Sequence, residues 1–156
     1  MVVPLDFDGL IREGVHDATV EEVEASFGRS MASDRRSRLL QNLKEYISEL
    51  KSSGWSFALI INGSFAMACV DEPNDIDLIL VLPPDWDLAA DLKPADYALV
   101  SRHQVFARFQ IEVFPVREHS LELANWTEFF SQVNVKWCQR FGWSLQMKKG
   151  LVRVIA

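Results

Sequence analysis

One apolar run constrains the fold of this 156-residue chain more than any other feature. Residues 76–82, IDLILVL, are apolar at every position except Asp77, which is typical of a strand covered on both faces of a sheet. Asp75 lies two positions before Asp77, so both carboxylates project from the same face of an extended backbone. Because uncompensated charges at the edge of a core are costly, this pair predicts a divalent-metal site.

The stretch before this run indicates a strand, a Gly63-Ser64 turn and a short helix. Glycine permits close approach of a backbone to a phosphate, and the first N–H groups of a helix face an anion with the helix's positive end. Ser64 adds a hydroxyl. We therefore predict a phosphate-binding turn at Gly63 and Ser64, whereas Asn62 fits either a nucleotide contact or the end of the strand.

Gly63-Ser64, the helix after it and Asp75-Ile76-Asp77-Leu78 resemble the G-S and D-x-D signature of the DNA polymerase β-type nucleotidyltransferases. Residues 14–19 and 149–153 resemble a small uncharacterised bacterial branch of minimal nucleotidyltransferases. The resemblance implies a nucleotidyltransferase-like fold, a bound Mg²⁺ or Mn²⁺ and a nucleoside triphosphate (NTP) as substrate.

The resemblance also implies a third carboxylate on a neighbouring strand. We predict a strand over Gln104–Val116, and Glu112 is the acid within it, although the family more often has Asp at this position. Glu112 would join Asp75 and Asp77 as a metal ligand and catalytic residue. Because the side chain of glutamate is longer than that of aspartate, we expect a different metal-binding geometry at Glu112.

The implied activity is transfer of a nucleoside monophosphate (NMP) to a hydroxyl, with release of pyrophosphate. Minimal members of the superfamily modify small molecules, RNA ends or proteins, including toxins of toxin–antitoxin pairs. The acceptor is therefore expected to be one of these. An alternative is a non-catalytic binding module or antitoxin that retains the fold and acts on a partner protein by contact.

The composition of the chain argues against several other classes of protein. The net charge of −6 argues against tight nonspecific binding of duplex DNA, and the two cysteines are too few for a disulfide framework or zinc site. The N-terminus lacks a signal-peptide pattern, and no apolar run is long enough to span a membrane. We expect a single domain over residues 1–156 that works in the cytoplasm.

The remaining periodicity predicts an α+β fold, with helices packed on a small mixed sheet. We expect one helix between a cap at Thr19 and Gly28, a long one between a cap at Ser33 and Gly54, and a third from Pro94 to Ser101. A fourth helix is expected after a cap at Asn125, and a last strand over Leu151 to Ile155.

Several cations are candidate phosphate contacts. The first turns of the long helix carry Arg35, Arg36 and Arg38, which fit a solvated helix face better than a phosphate-binding patch. Three further cations are candidate partners of the triphosphate, although each fits a plain surface charge better than a ligand: Arg102, Lys148 and Lys149. His16 fits a packing or hydrogen-bonding role beside the first helix better than a catalytic one.

Overall fold

The computed structural model describes residues 3–87 and 89–155. In chain order the elements are β1 (Val15–Ala18), α1 (Val20–Phe27), α2 (Arg35–Ser52), β2 (Ala58–Asn62), β3 (Ile76–Leu82), α3 (Pro94–Val100), α4 (Arg102–Phe109), β4 (Ile111–Arg117), α5 (Leu121–Phe130), α6 (Val135–Phe141) and β5 (Leu151–Val154). This arrangement confirms the predicted α+β class with a small mixed sheet.

The five strands form one sheet in the order β1-β5-β2-β3-β4. β2 pairs antiparallel with β3 and with β5, whereas β3 and β4 run parallel, as do β1 and β5. The parallel β3–β4 pair is joined by a long connection that contains α3 and α4, as parallel neighbours require. β3 therefore lies between two hydrogen-bonded neighbours.

Both faces of β3 are covered, as its sequence predicts. Leu78, Leu80 and Leu82 are buried in the main core with the apolar stripe of α2, whereas Ile79 and Val81 are buried in a smaller cluster on the opposite face. Three side chains of α5 pack against this second cluster: Leu123, Trp126 and Phe130. Successive side chains of β3 therefore point in turn to the two faces of the sheet, and helices cover each face.

Local signals explain several helix boundaries. Thr19 and Glu22 form a reciprocal capping box at the start of α1, which confirms the predicted start. Pro94 occupies the first turn of α3. α2 begins at Arg35 after Asp34, one residue later than a Ser33 cap would give, although Ser33 Oγ accepts a hydrogen bond from the Arg35 N–H.

The predicted strand over Gln104–Val116 is wrong in its first half. Ser101 caps α4 by accepting from the Gln104 N–H, and α4 continues to Phe109. Val105 and Phe109 are buried four residues apart on one face of this helix. Gln110 then adopts the left-handed conformation that ends the helix, so the strand begins only at Ile111.

Two helices near the end of the chain also differ from expectation. α5 is capped by Ser120, not by Asn125, which lies inside the helix. α6, capped by Asn134, was not predicted at all. The predicted last strand is confirmed as β5, over Leu151–Val154.

No helix within the described residues has the length and apolar character needed to cross a membrane. Cys138 is buried and Cys69 half-buried, and both are free thiols.

Candidate functional site

The sheet register places three polar side chains in one row. Asn62, at the end of β2, lies opposite Asp77 of β3, and Asp77 lies opposite Glu112 of β4. By strand alternation these residues share the face of the sheet that α5 covers. The structure thus brings Glu112 beside Asp77 from the adjacent strand, where the sequence predicts it.

Asp75 immediately precedes β3 and adds a second carboxylate at the same end of the strand. Burial raises the pKa of Asp75, and the negative charge of Glu112 raises it further. Burial also raises the pKa of Asp77, to about 7, with the charge of Asp75 and the side chain of Glu112 adding to the effect. Neighbouring carboxylates therefore lie close enough to Asp75 and Asp77 to disfavour the ionised forms of these two residues.

Gly63 and Ser64 border the same carboxylates. Gly63 has φ +73° and ψ −165°, a conformation that residues with a Cβ rarely adopt. A Cβ at Gly63 would overlap the Asp77 carboxylate and lie 2.8 Å from its Cγ. Only glycine therefore leaves room for Asp77 at this turn.

The helix that follows this turn is shorter than expected. Ser64–Ala66 form a single 3₁₀ turn of three residues. Such a turn lacks the aligned peptide dipoles of a full helix, so the expected helix N-terminus for an anion is absent at Ser64. The polar groups that the turn itself offers are the Ser64 hydroxyl and its backbone.

All five predicted site residues line one cavity of about 490 Å³: Gly63, Ser64, Asp75, Asp77 and Glu112. The opposite wall comes from α5, α6 and the segment between them, including the aromatic rings of Phe129, Phe130 and Trp137. One side of the cavity is therefore acidic and the other largely apolar. Sequence reasoning missed this second wall, since it did not predict α6.

Glu112 is engaged in an ion pair on the cavity rim. Its Oε1 accepts from Arg102 Nη2 at 2.8 Å, and the Arg102 guanidinium lies over the Phe114 ring at 4.5 Å. Arg102, a candidate phosphate contact, is thus bound to a carboxylate of the site. Over the described residues, no group of three or more His, Cys, Asp or Glu side chains already has the geometry of a metal centre.

The donor set nevertheless fits a hard divalent cation. Asp75 and Asp77 provide carboxylate oxygens, which Mg²⁺ and Mn²⁺ prefer, and the Gly63 backbone packs directly against the Asp77 carboxylate. Mg²⁺ is commonly held by one or two carboxylates, with water and substrate phosphates as its other ligands. Burial and neighbouring carboxylates raise the pKa values of Asp75 and Asp77, so their ionised forms are disfavoured in this cavity. A bound cation would offset this cost.

Lys149 lies at the floor of the cavity. Only 3% of the residue is exposed, and Nζ has no hydrogen-bond partner among the described residues. Burial lowers the pKa of Lys149 to about 8, and the charge of Asp77 partly opposes this effect. The surface interpretation of this lysine is therefore wrong, whereas it holds for the neighbouring Lys148, which is exposed.

Arg36 is buried too, and its expected position on a solvated helix face is wrong. It makes six hydrogen bonds to five backbone carbonyls: those of Phe27, Ser64, Phe65, Met67 and Val70. Four of these carbonyls belong to the loop that follows Gly63. A signal was present in the sequence, because Arg36 lies three, four and seven positions before Leu39, Leu40 and Leu43 of the apolar stripe.

Arg35 and Arg38 lie outside the main cavity, beside a smaller one that contains Asp75. Arg35 donates to Asn74 Oδ1 at 3.2 Å, and Arg38 pairs with Asp34 at 3.2 Å on the surface. His16 lies on β1, where its Nε2 is 2.7 Å from the Arg12 carbonyl, and it does not border the main cavity. Its hydrogen-bonding interpretation therefore accounts for its position.

Comparison with known proteins gives one match. A model described as "Family of unknown function (DUF6932)" matches residues 3–155, nearly the whole chain. No curated protein and no solved structure matches the chain.

Proposed function

The chain belongs to the DUF6932 family, whose function is unknown, and we propose that it is a metal-dependent nucleotidyltransferase. It transfers NMP from an NTP to a hydroxyl and releases pyrophosphate. The observation that carries this proposal is the convergence of Asp75, Asp77 and Glu112 with the Gly63-Ser64 turn in one cavity. Separately these residues mean little, but together they meet the main needs of nucleotidyl transfer.

Asp75 and Asp77 would hold Mg²⁺ or Mn²⁺, and the ion would supply positive charge to the phosphates. Gly63 lets the chain approach the Asp77 carboxylate closely, and the Ser64 hydroxyl is a donor for a phosphate oxygen. These groups position the NTP, and positioning with charge stabilisation provides most of the catalysis in phosphoryl transfer.

Glu112 is the proposed acceptor of the proton from the attacking hydroxyl. Its carboxylate lies on the strand next to Asp77 and is half-exposed at the cavity rim, where an acceptor can reach it. In this role Glu112 Oε1 must exchange its bond to Arg102 for a bond to the hydroxyl. Such an exchange is inexpensive for an exposed ion pair.

The acceptor is a protein, an RNA end or a small molecule, and its hydroxyl enters along the open rim. The apolar wall of α5 and α6 limits the access of water to the transferred phosphoryl group. A cytoplasmic setting is supported by the two free thiols, since a reducing compartment keeps such thiols unpaired.

One observation favours a second candidate function. Glu112 is bound to Arg102, and the described residues contain no ready-made cluster of three metal ligands. A non-catalytic binding module or antitoxin, which acts on a partner protein by contact, would work with the Glu112–Arg102 pair unchanged. The two candidates differ in whether the cavity turns over an NTP.

The experiment is labelling of a cell lysate by the purified protein, with each NTP radiolabelled at the α-phosphate and with Mg²⁺ or Mn²⁺. Label should transfer to a discrete acceptor, and the Asp75→Asn/Asp77→Asn variant should transfer none. Lack of transfer with all four NTPs and both metals would favour the binding module.

A further inference from the structure

Lys149 differs from every other charged residue in the described ranges. Arg36 and Lys149 are the buried charged side chains of the core, and Arg36 is fully bonded. Lys149 Nζ has no hydrogen-bond partner there. A lysine near a surface normally extends its amine to water, so an amine kept away from water requires a structural or functional reason.

The backbone on both sides of Lys149 holds the residue in place. The Lys149 N–H donates to the Ser131 carbonyl at 2.8 Å, and the Gly150 N–H donates to the Ile11 carbonyl at 2.7 Å. Gly150 also packs so closely that a Cβ there would overlap the Arg12 carbonyl. β5 begins at the next residue and pairs with two strands. The backbone position of Lys149 is therefore fixed by these contacts.

The amine is close enough to Asp77 to influence its ionisation, but the two side chains form no ion pair or hydrogen bond. A lysine whose function is to neutralise Asp77 would gain most from direct contact, because charge-assisted hydrogen bonds are the strong ones. Instead, its donors have no partner among the described residues, and Lys149 lines the cavity that holds the carboxylates. The missing partner is a group that accepts hydrogen bonds and carries negative charge.

We propose that Lys149 is an anion-binding residue whose ammonium group binds a phosphate oxygen of the nucleotide or of the pyrophosphate product. This inference rests on the proposed function and assigns a role to a residue outside the carboxylate and Gly63-Ser64 constellation. It adds a buried cation to the cavity, which Lys136 of α6 also lines. The phosphate group is thereby held between Lys149 and the Gly63-Ser64 turn.

The test compares Lys149→Met with Lys148→Met by calorimetric titration of Mg²⁺-pyrophosphate, each Mg²⁺-NTP and adenosine. Methionine preserves the length of the side chain and removes its charge, and Lys148 is the exposed neighbour. Lys149→Met should weaken binding of the phosphate-containing probes about 10- to 100-fold, as expected for one charge-assisted hydrogen bond. Lys148→Met should bind as the parent does, and neither change should alter any affinity for adenosine.

A second measurement uses the parent protein and does not depend on the folding of a variant. With lysines ¹³C-labelled at Cε, the Lys149 signal should shift on addition of Mg²⁺-pyrophosphate, whereas the Lys148 signal stays unchanged. An unshifted Lys149 signal at saturating pyrophosphate, or equal affinities of parent and Lys149→Met, overturns the proposal.

The outcomes separate this inference from the proposed function. Lys149-dependent binding of pyrophosphate without binding of any NTP supports the anion site and contradicts the nucleotidyltransferase. NTP binding that is indifferent to Lys149 supports the nucleotide site and overturns the role of Lys149. A parent that binds neither probe contradicts both.

Discussion

The loop around Arg36 and the cavity around Lys149 each bury a cation, yet their surroundings are opposite. Arg36 donates to five carbonyls and fixes the loop that starts at Gly63. The Lys149 amine has no hydrogen-bond partner among the described residues. A buried polar group that is fully bonded stabilises the fold, whereas one left unbonded is costly and requires an explanation. Arg36 thus holds the fold together, and our proposal explains Lys149 by a bound anion.

The same contrast separates the two ends of β3. Towards Leu82 its side chains pack between two apolar layers, and towards Asp75 they meet other carboxylates. The acidic end is the less favourable part of the fold without a bound cation. Changes at Arg36 should therefore reduce stability, and replacement of Asp77 or Lys149 by a neutral side chain should raise it.

The largest expected effect is that of Arg36→Leu. It leaves five carbonyls without their donor, and we expect a loss of about 3–5 kcal/mol in the free energy of unfolding, as for other broken buried networks. Urea denaturation measures the loss. Arg38→Leu is the control, since its ion pair with Asp34 is exposed and should contribute less than about 1 kcal/mol. Equal losses in the two variants would remove the contrast between the regions.

The cavity should make stability depend on pH in two windows. The pKa of Asp77 is raised from 3.8 to about 7, so the native state keeps a proton that the unfolded chain releases, and stability falls as pH rises through this range. The pKa of Lys149 is lowered from 10.5 to about 8, so the unfolded chain binds the extra proton and stability rises from about pH 8 upward. Stability should therefore be lowest near pH 7–8.

Asp77→Asn should remove most of the falling limb, to which the raised pKa of Asp75 also contributes, and stabilise the protein at pH 8 by about 2–4 kcal/mol in metal-free buffer. Lys149→Met should remove the rising limb. Denaturation curves from pH 4 to pH 10 with a chelator measure both effects. An Asp77→Asn curve parallel to that of the parent would show that Asp77 is not strained in the fold.

Gly63→Ala should cost about 2–3 kcal/mol, since the residue has a positive φ and its Cβ would overlap Asp77. Gly54→Ala is a matched control, because Gly54 also has a positive φ but nothing lies within 4 Å of its Cβ position. The control should cost only about 1 kcal/mol, the penalty of the backbone conformation alone. The difference between the two losses in thermal denaturation measures the close approach of the turn to Asp77.

Glu112→Gln should have the smallest effect on stability, within about 0.5 kcal/mol, since its ion pair with Arg102 is exposed. Once an acceptor is known, turnover should fall about 100-fold or more while NTP affinity changes little. Glu112→Asp should retain partial activity. Steady-state kinetics measure the effect, and full turnover in Glu112→Gln would assign Glu112 to a structural role.

Features that depend on neighbouring residues were predictable from the sequence. The capping box at Thr19, Pro94 at the start of α3 and the two-sided run of β3 each depend on contacts within a few residues or on simple alternation. The strand pattern identified Glu112 as an acid within an apolar strand, whereas its place on the strand beside Asp77 was implied by the resemblance to the nucleotidyltransferases.

Features that depend on distant packing were not predictable. Residues 104–109 have apolar side chains at every second position but also carry a helical pair, Val105 and Phe109, and the burial of this pair in the main core favours the helix. The burial of Lys149 results from β5 pairing with β1 and β2 and from Ser131 binding its backbone, contacts that no local pattern reveals. The unbonded cation of the cavity was therefore visible only in the structure.

The most direct test of the account is a calorimetric titration of NTPs into the parent and into Asp75→Asn/Asp77→Asn, with and without Mg²⁺. The account predicts that the parent binds an NTP only in the presence of Mg²⁺ or Mn²⁺. It also predicts that the double variant loses this binding while its thermal transition stays equal or rises. Unchanged Mg²⁺-NTP affinity in a folded double variant would contradict the assignment of this cavity as a metal-dependent nucleotide site.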